Sequence, residues 1–176
     1  MNHEIEIKAL LTKEKYQELS TYLPTIMKQI NQETLHTQIF TPGDLRLRHS
    51  DKTFEIVCKE KDPTRECRKE LVIPLQSKDQ LDKFQSLFQM LNLEEHKPWT
   101  THKQEFEYTY NNYTYNISLQ HTENFAYILE VEFLSEQDTT HIHEPNIKTI
   151  IKQLGCEPID KQDFLERIKE YHSNSE

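Results

Sequence analysis

Glycine is nearly missing from this sequence. The 176 residues contain only 2, Gly43 and Gly155, where average usage near 7% would give about twelve. Phosphate cradles built from backbone N–H groups need clustered glycines, because only glycine lets the main chain approach a ligand closely. Neither GxGxxG nor GxxxxGK(S/T) can therefore occur, which excludes dinucleotide-dependent dehydrogenases and P-loop enzymes. If this protein binds phosphate, it must use side chains.

Long apolar runs, cysteine motifs and a basic charge excess are also missing. No run approaches the roughly 18 apolar residues of a membrane span, and the N-terminal MNHEIEIKALL has glutamates where a signal peptide has a basic start. The cysteines are odd in number and form no CxxC motif: Cys58, Cys67 and Cys156. This pattern is typical of proteins whose thiols remain reduced. The 30 acidic and 21 basic residues give a net charge of −9, which argues against nucleic acid as a partner. We expect a cytoplasmic protein with no membrane partner, and the oligomeric state stays unknown.

The hydrophobic pattern predicts a single domain over residues 1–172, with a frayed tail at 173–176. Alternating positions predict strands at 3–10, 35–40, 44–49, 54–59, 68–75, 101–110, 113–120 and 126–134. Helical spacing predicts helices at 12–23, 77–91, 145–154 and 161–171, with Gly155 as a C-cap. The connections include a Thr41-Pro42-Gly43 turn and a charged segment containing Pro63. Short strands joined by tight turns favour an antiparallel α+β fold.

Charged residues repeat at alternate positions on several of these strands, with apolar residues in the opposite register. If the strands close into a barrel with this face inward, the result is a polar tunnel with helices packed outside. Arginine and lysine are good partners for phosphate oxygens, and paired carboxylates suit Mg²⁺ or Mn²⁺. A polyphosphate that carries a divalent metal needs both the basic residues and the carboxylates. The charged positions are Glu4, Glu6, Lys8, Arg46, Arg48, Glu55, Lys59, Arg68, Glu70, Glu130 and Glu132.

These elements resemble, in order and over nearly the whole chain, the CYTH domains, also called triphosphate tunnel metalloenzymes. The N-terminal EIEIK is similar to their ExExK signature, and LRLR, the Lys59 strand, RKELVIPL and the late EVE follow it. That family includes class IV adenylyl cyclases, thiamine triphosphatases and bacterial inorganic triphosphatases. The resemblance implies an eight-stranded antiparallel closed β-barrel forming a tunnel, with helices packed outside.

The resemblance also implies roles for individual side chains. Lys103 lies on the strand where the family places a lysine that orients the attacking water, so it is the expected catalytic residue. The expected metal site for Mg²⁺ or Mn²⁺ is formed by Glu130 and Glu132 with help from Glu4 and Glu6. The expected ligands of the triphosphate are Lys8, Arg46, Arg48, Lys59 and Arg68.

Four departures from the family pattern fall mostly in its catalytic half. Thr101 precedes Lys103 where the family often has a Lys-x-Arg pair, and Gln120 stands where an aspartate is common. Val72 replaces a second glutamate, and the segment before Arg46 is short, keeping only Phe40 and Thr41 of an aromatic–Asp–Thr run.

The expected function is that of a metal-dependent phosphohydrolase acting on inorganic triphosphate or another triphosphorylated compound, such as thiamine triphosphate. The alternatives are a class IV-type adenylyl cyclase, which converts ATP to cyclic AMP and pyrophosphate, and a non-catalytic polyphosphate or nucleotide-binding protein. His141 and His143 are interpreted as part of a solvated loop rather than a zinc site. The tunnel interior is expected to be locally basic.

Overall fold

Eight of the nine strands follow one another around a closed ring. The structure, a computed structural model, describes residues 2–42, 44–60 and 67–173. Gly43 of the expected turn, the connection containing Pro63, and residues 174–176 of the expected tail lie outside this part of the chain. The strands are β1 (Asn2–Leu11), β2 (Lys28–Thr41), β3 (Asp44–His49), β4 (Phe54–Lys59), β5 (Cys67–Leu75), β6 (Glu94–Glu95), β7 (Trp99–Tyr110), β8 (Tyr113–Thr122) and β9 (Ala126–Ser135).

Hydrogen bonding runs in the order β3-β4-β5-β1-β9-β8-β7-β2, and β2 then pairs with β3 to close the ring. Every pairing is antiparallel, including the closing one, in which residues 36–40 of β2 face residues 45–49 of β3. The short β6 only adds to the end of β2. The expected α+β fold with an eight-stranded antiparallel closed ring is therefore confirmed.

Four helices pack on the outside of the ring: α1 (Lys13–Ile26), α2 (Lys78–Met90), α3 (Thr140–Gln153) and α4 (Lys161–Ser173). Helices α1 and α3 cover β1 and β9, where alternate residues such as Ile5, Ile7 and Val131 are buried with Leu19 and Ile150. Burial of these apolar side chains stabilises the ring and leaves the opposite register to face inward. Within the described ranges, no helix is long and apolar enough to cross a membrane.

A second apolar cluster lies between α2 and strands β2, β3 and β4. It contains Phe40, Leu47, Ile56, Leu81 and Phe88. Ser77 caps α2, because its hydroxyl accepts from the Gln80 backbone N–H. The two clusters pack helices against the apolar register of these strands, so that the charged register faces inward.

The structure differs from the sequence prediction at β2 and at α3. Strand β2 begins at Lys28 rather than at residue 35, because the polar segment before residue 35 pairs with β7 despite lacking an alternating pattern. Helix α3 begins at Thr140 rather than at Pro145. The solvated-loop interpretation of His143 is therefore wrong: this residue is 2% exposed on α3, and its Nδ1 lies 2.9 Å from the Tyr115 hydroxyl. Gly155, at φ 70°, follows α3 as expected.

Candidate functional site

The ring encloses a cavity of about 350 Å³. All ten side chains that the sequence selected line it: Glu4, Glu6, Lys8, Arg46, Arg48, Lys59, Arg68, Lys103, Glu130 and Glu132. They are brought together because each occupies the inward register of its strand. Cross-strand partners include Glu4 with Arg68, Glu6 with Glu132 and Lys8 with Glu130. The inward alternation predicted from sequence thus places these residues in one site.

Lys59 lies among three carboxylates at the β1–β5 side of the cavity. Its Nζ is 2.5 Å from Glu4 Oε2, 3.6 Å from Glu6 Oε2 and 3.2 Å from Glu70 Oε2. Burial and the neighbouring Glu6 raise the pKa of Glu4 to about 9, although Lys59 opposes this. Burial also acts to raise the pKa of Glu6, but Lys59 and Lys8 outweigh it and lower that pKa. One lysine shared by three carboxylates therefore leaves a proton on Glu4 at neutral pH.

Lys8 bridges β1 and β9. Its Nζ lies 2.9 Å from Glu6 Oε2 and 2.5 Å from Glu130 Oε2. Burial opposes ionisation of Glu130, but Lys8 prevails and lowers the pKa of this carboxyl to about 2. The other oxygen of Glu130, Oε1, accepts hydrogen bonds from Gln120 at 3.0 Å and Ser118 at 3.3 Å. Gln120, the departure from the family aspartate, thus donates to a cavity carboxylate.

Glu132 lies two residues after Glu130 on β9. Its Oε1 accepts from Asn116 Nδ2 at 2.7 Å, and burial followed by the charge of Glu130 raises its pKa. Asn116 Oδ1 is buried without a hydrogen-bond partner. A cation bound here would give the Asn116 oxygen a partner and would favour the ionised form of Glu132.

A carboxylate that the sequence did not single out holds two of the arginines. Asp44 Oδ1 and Oδ2 accept from Arg46 Nε at 2.5 Å and from its second guanidinium nitrogen at 2.8 Å, and Oδ2 also accepts from Arg68 at 3.1 Å. Burial opposes ionisation of Asp44, but Arg46 outweighs it and lowers the pKa to about 2. Arg48 is paired separately with Glu55 at 2.5 Å.

Arg68 retains an unused donor. Arg68 is 5% exposed and lines the cavity, and its Nε atom is buried without a hydrogen-bond partner. A buried guanidinium N–H without an acceptor costs on the order of 1–3 kcal/mol, and an anionic ligand oxygen would remove that cost. Arg68 therefore has one N–H donor that no acceptor among the described residues uses.

Lys103 lies opposite Gln120 on the β7–β8 side, and its Nζ is 2.7 Å from Glu105 Oε1. Burial acts to lower the pKa of Lys103, but Glu130 and Glu105 outweigh it and raise that pKa. Lys103 is therefore protonated at neutral pH, so it can donate hydrogen bonds but cannot accept a proton.

Three charged residues of the cavity are not among the positions that the sequence singles out: Asp44, Glu105 and Lys161. Alternation places Glu70 on the inward face of β5, but the resemblance assigns it no role. Lys161 begins α4, and its Nζ is 3.7 Å from Glu6 Oε1. Glu105 shares the inward register of β7 with Lys103, so alternation could have identified it. Lys161 gave no comparable signal, because strand periodicity does not predict which helix reaches the ring.

Acidic side chains are as numerous as basic ones in the cavity wall. Among the described residues, seven acidic and seven basic side chains line it. With a proton on Glu4, the cations outnumber the charged carboxylates, and the expected locally basic interior stays a prediction. An entering polyphosphate has to exchange with these internal carboxylates or bring cations of its own.

The carboxylates have the right chemistry for Mg²⁺ or Mn²⁺, both of which prefer oxygen ligands. Glu132 and the free Asn116 Oδ1 offer such oxygens. In the part of the chain that the structure describes, however, no three His, Cys, Asp or Glu side chains are arranged to hold a metal ion. Lys8 and Lys59 lie among the carboxylates instead. The oxygen atoms are of the kind that these metals prefer, but the carboxylates are arranged in ion pairs with lysines.

Comparisons with known proteins agree on the fold. No protein-family model matches the sequence, and no curated protein matches it. Among solved structures, a Pyrococcus horikoshii protein superposes with a TM-score of 0.70 at 17% identity, over 95% of this chain and 98% of that chain. A candidate adenylate cyclase from Vibrio parahaemolyticus has a TM-score of 0.63 at 14% identity, over 88% of this chain and 89% of that chain.

A third similar structure is a candidate adenylyl cyclase from Hippeastrum, described as having a dominant triphosphatase activity. It superposes with a TM-score of 0.64 at 14% identity, over 91% of this chain and 90% of that chain. At such identities, these similarities show that the chains share a fold and nothing finer.

Proposed function

We propose that this protein is a CYTH-type, metal-dependent phosphohydrolase that cleaves the terminal phosphate of a triphosphate bound inside the ring. The observation that carries the proposal is the cavity itself, where five candidate phosphate ligands converge and Arg68 has a buried donor without a partner. The candidate cyclases of the same fold, one of them described with triphosphatase activity, support the substrate class.

In this proposal the cations bind and orient the phosphate chain. Arg46, Arg48 and Arg68 contact phosphate oxygens through paired N–H groups, while Lys8 and Lys59 act as compact charges. Phosphoryl transfer depends mainly on positioning and on stabilising the charge of the transferred group. The protein supplies both from rigid strands, without a glycine-rich loop.

Glu4, Glu6, Glu130 and Glu132 are proposed to hold Mg²⁺ or Mn²⁺, with the Asn116 side-chain oxygen as a further candidate ligand. Bound there, the metal would neutralise phosphate charge and polarise the phosphoryl group. The ion pairs of Lys8 and Lys59 with these carboxylates would then exchange for pairs with phosphate. The internal carboxylates keep the lysines in place until a metal–triphosphate complex arrives.

Lys103 is proposed to position the attacking water by donating an N–H to its oxygen. Water attacks the terminal phosphorus, and the bond from this phosphorus to the bridging oxygen breaks. The products are orthophosphate and the corresponding diphosphate, and the protons of the water remain with the products and solvent. The raised pKa of Lys103 suits a hydrogen-bond donor and excludes it as the general base at neutral pH.

A substrate panel tests this proposal: inorganic triphosphate, thiamine triphosphate and ATP, each with Mg²⁺, Mn²⁺ or EDTA. We expect phosphate release with metal, none with EDTA, and a loss of at least about 100-fold in Glu132→Gln, the order of effect of removing one preorganised charge contact. Normal turnover by Glu132→Gln would refute its metal role. Detection of cyclic AMP and pyrophosphate from ATP would identify a cyclase instead.

A non-catalytic triphosphate-binding protein is the second candidate. Gln120 favours it, because this neutral amide binds Glu130 where the family commonly has an aspartate. Calorimetric binding of triphosphate without hydrolysis under every metal condition would establish this function and refute the phosphohydrolase.

A further inference from the structure

Two histidines face each other on the outer surface of the ring, at one end of the strand pair that closes it. His36 of β2 and His49 of β3 are register partners, and their ring centroids are 4.9 Å apart. The adjacent residues Thr37 and Arg48 line the cavity, so the two imidazoles lie on the opposite, outer face of their strands. The pair is therefore separate from the proposed triphosphate site.

Within the described ranges, each of the two rings has a nitrogen available to a ligand. His36 Nδ1 lies 3.2 Å from the Thr100 hydroxyl of β7, so Nδ1–H can donate to this oxygen and leave the Nε2 lone pair unused. His49 contacts the His36 and Phe54 rings, and no hydrogen bond from the described residues engages its nitrogens. A histidine that binds a metal ion commonly donates its other N–H as His36 can, because that hydrogen bond fixes the orientation of the ring.

The surroundings of His49 favour a neutral ring with carboxylates nearby. Burial, followed by the charges of His36 and Lys78, lowers the pKa of His49. The neutral imidazole, which is the form that binds metal ions, therefore predominates at neutral pH. Asp51 and Asp82 act on this pKa in the opposite direction, so two carboxylates lie near enough to attract a cation to this part of the surface.

We propose that His36 and His49 bind a divalent transition-metal ion such as Zn²⁺, which links β2 to β3 from outside the ring. Imidazole nitrogens suit such ions, whereas Mg²⁺ and Mn²⁺ prefer oxygen ligands. Two imidazole nitrogens at about 2.0–2.1 Å from one tetrahedral zinc ion are about 3.3 Å apart, a spacing that rings with centroids 4.9 Å apart can reach. Water completes the coordination, since no cluster of three His, Cys, Asp or Glu side chains forms among the described residues. The site goes beyond the proposed function and does not depend on it.

A second cross-strand pair provides a comparison within the same sheet. His102 of β7 and His121 of β8 are also register partners, with ring centroids 5.7 Å apart. Both nitrogens of His102 are already engaged, Nδ1 with the Thr34 hydroxyl at 3.0 Å and Nε2 with Glu123 Oε1 at 2.9 Å. A metal ion would have to displace one of these contacts, which makes the His36–His49 pair the preferred site.

Calorimetric titration of the untagged full protein with Zn²⁺ tests this assignment, with Mg²⁺ in excess to occupy sites made of oxygen atoms. We expect His36→Gln and His49→Gln each to weaken Zn²⁺ binding at least about tenfold. Thr100→Val, which removes the acceptor for His36 Nδ1–H, should weaken it about tenfold, the order of effect of losing a hydrogen bond that orients a metal ligand. His102→Gln is the matched control and should bind Zn²⁺ as the wild type does.

Thermal unfolding gives a second readout, because an ion that binds only the folded protein raises its stability. Zn²⁺ should raise the midpoint of unfolding of the wild type and of His102→Gln, and this shift should be lost in His36→Gln and His49→Gln. Undiminished Zn²⁺ binding in both His36→Gln and His49→Gln would overturn the inference. An equal loss of binding in His102→Gln would overturn it as well, because the ion would then not be specific to the His36–His49 pair.

Discussion

Lys8 and Glu130 face each other across β1 and β9, and their charged groups meet at 2.5 Å inside the ring. The same lysine contacts Glu6 on its own strand. One cation therefore holds two buried carboxylates where the proposed metal and phosphate sites adjoin. The network is both a structural element of the ring and the part that a ligand has to rearrange.

The first prediction concerns the stability of this pair. Lys8→Met should lower the free energy of unfolding by about 3 kcal/mol, because it leaves buried carboxylates without a cation. The double variant Lys8→Met/Glu130→Gln should recover much of that loss. Urea unfolding measures both, with Lys148→Met as the control because its pair with Glu144 is largely exposed and should contribute less than about 1 kcal/mol. Equal losses in the single and double variants would contradict the assignment.

The second prediction concerns the pH dependence of Glu4. The folded protein holds a proton on Glu4 up to a pKa of about 9, whereas its ordinary value is 4.5. The stability that this protonation contributes is fully present below pH 4.5 and is lost as the pH rises towards 9. In EDTA, the free energy of unfolding of Glu4→Gln should therefore fall less steeply over this range than that of the wild type.

The exposed Glu136→Gln is the control for this titration and should keep the wild-type slope. An unchanged slope in Glu4→Gln would contradict the protonated state. Glu130 changes the stability in the opposite direction, because its pKa is lowered to about 2. Its contribution to the free energy of unfolding is present above pH 4.5 and is lost as the pH falls towards 2.

The third prediction concerns Asp44, which occupies donors on Arg46 and Arg68 that phosphate would use. Asp44→Asn should bind inorganic triphosphate about tenfold more tightly, the order of one charge-assisted hydrogen bond. Calorimetry measures this, with Asp79→Asn in the exposed pair with Lys83 as control. Weaker binding by Asp44→Asn would mean that Asp44 positions the arginines for the ligand instead of competing with it.

Strand alternation predicted the inward faces of β1, β3 and β9 because each of these strands separates charged from apolar positions. The same rule fails for residues 28–34 of β2, whose polar sequence has no alternation and whose pairing with β7 depends on tertiary hydrogen bonds. Lys161 and Phe164 reach the cavity through the docking of α4, which no local pattern encodes. The sequence therefore predicts the strands' contribution to the site and misses that of the helix.

Asp44 was missed for a different reason. It stands at the first position of β3, where an aspartate is ordinarily interpreted as a turn residue. Its contact with Arg68 depends on β5 lying beside β4, a long-range pairing. The charge composition could not predict the acidic residues of the cavity either. A net charge of −9 does not indicate how acidic residues divide between the surface and the cavity.

The central claim is that side chains on rigid strands bind the triphosphate, since the chain has no glycine-rich phosphate loop. Calorimetry of inorganic triphosphate with Mg²⁺ tests it most directly, comparing the wild type with Arg46→Ala and Arg48→Ala. Lys28→Ala is the matched control, since its pair with Glu107 lies on the exposed surface. We predict that each arginine variant weakens binding at least about tenfold and that Lys28→Ala has no effect. Unchanged affinity in both arginine variants would contradict the account.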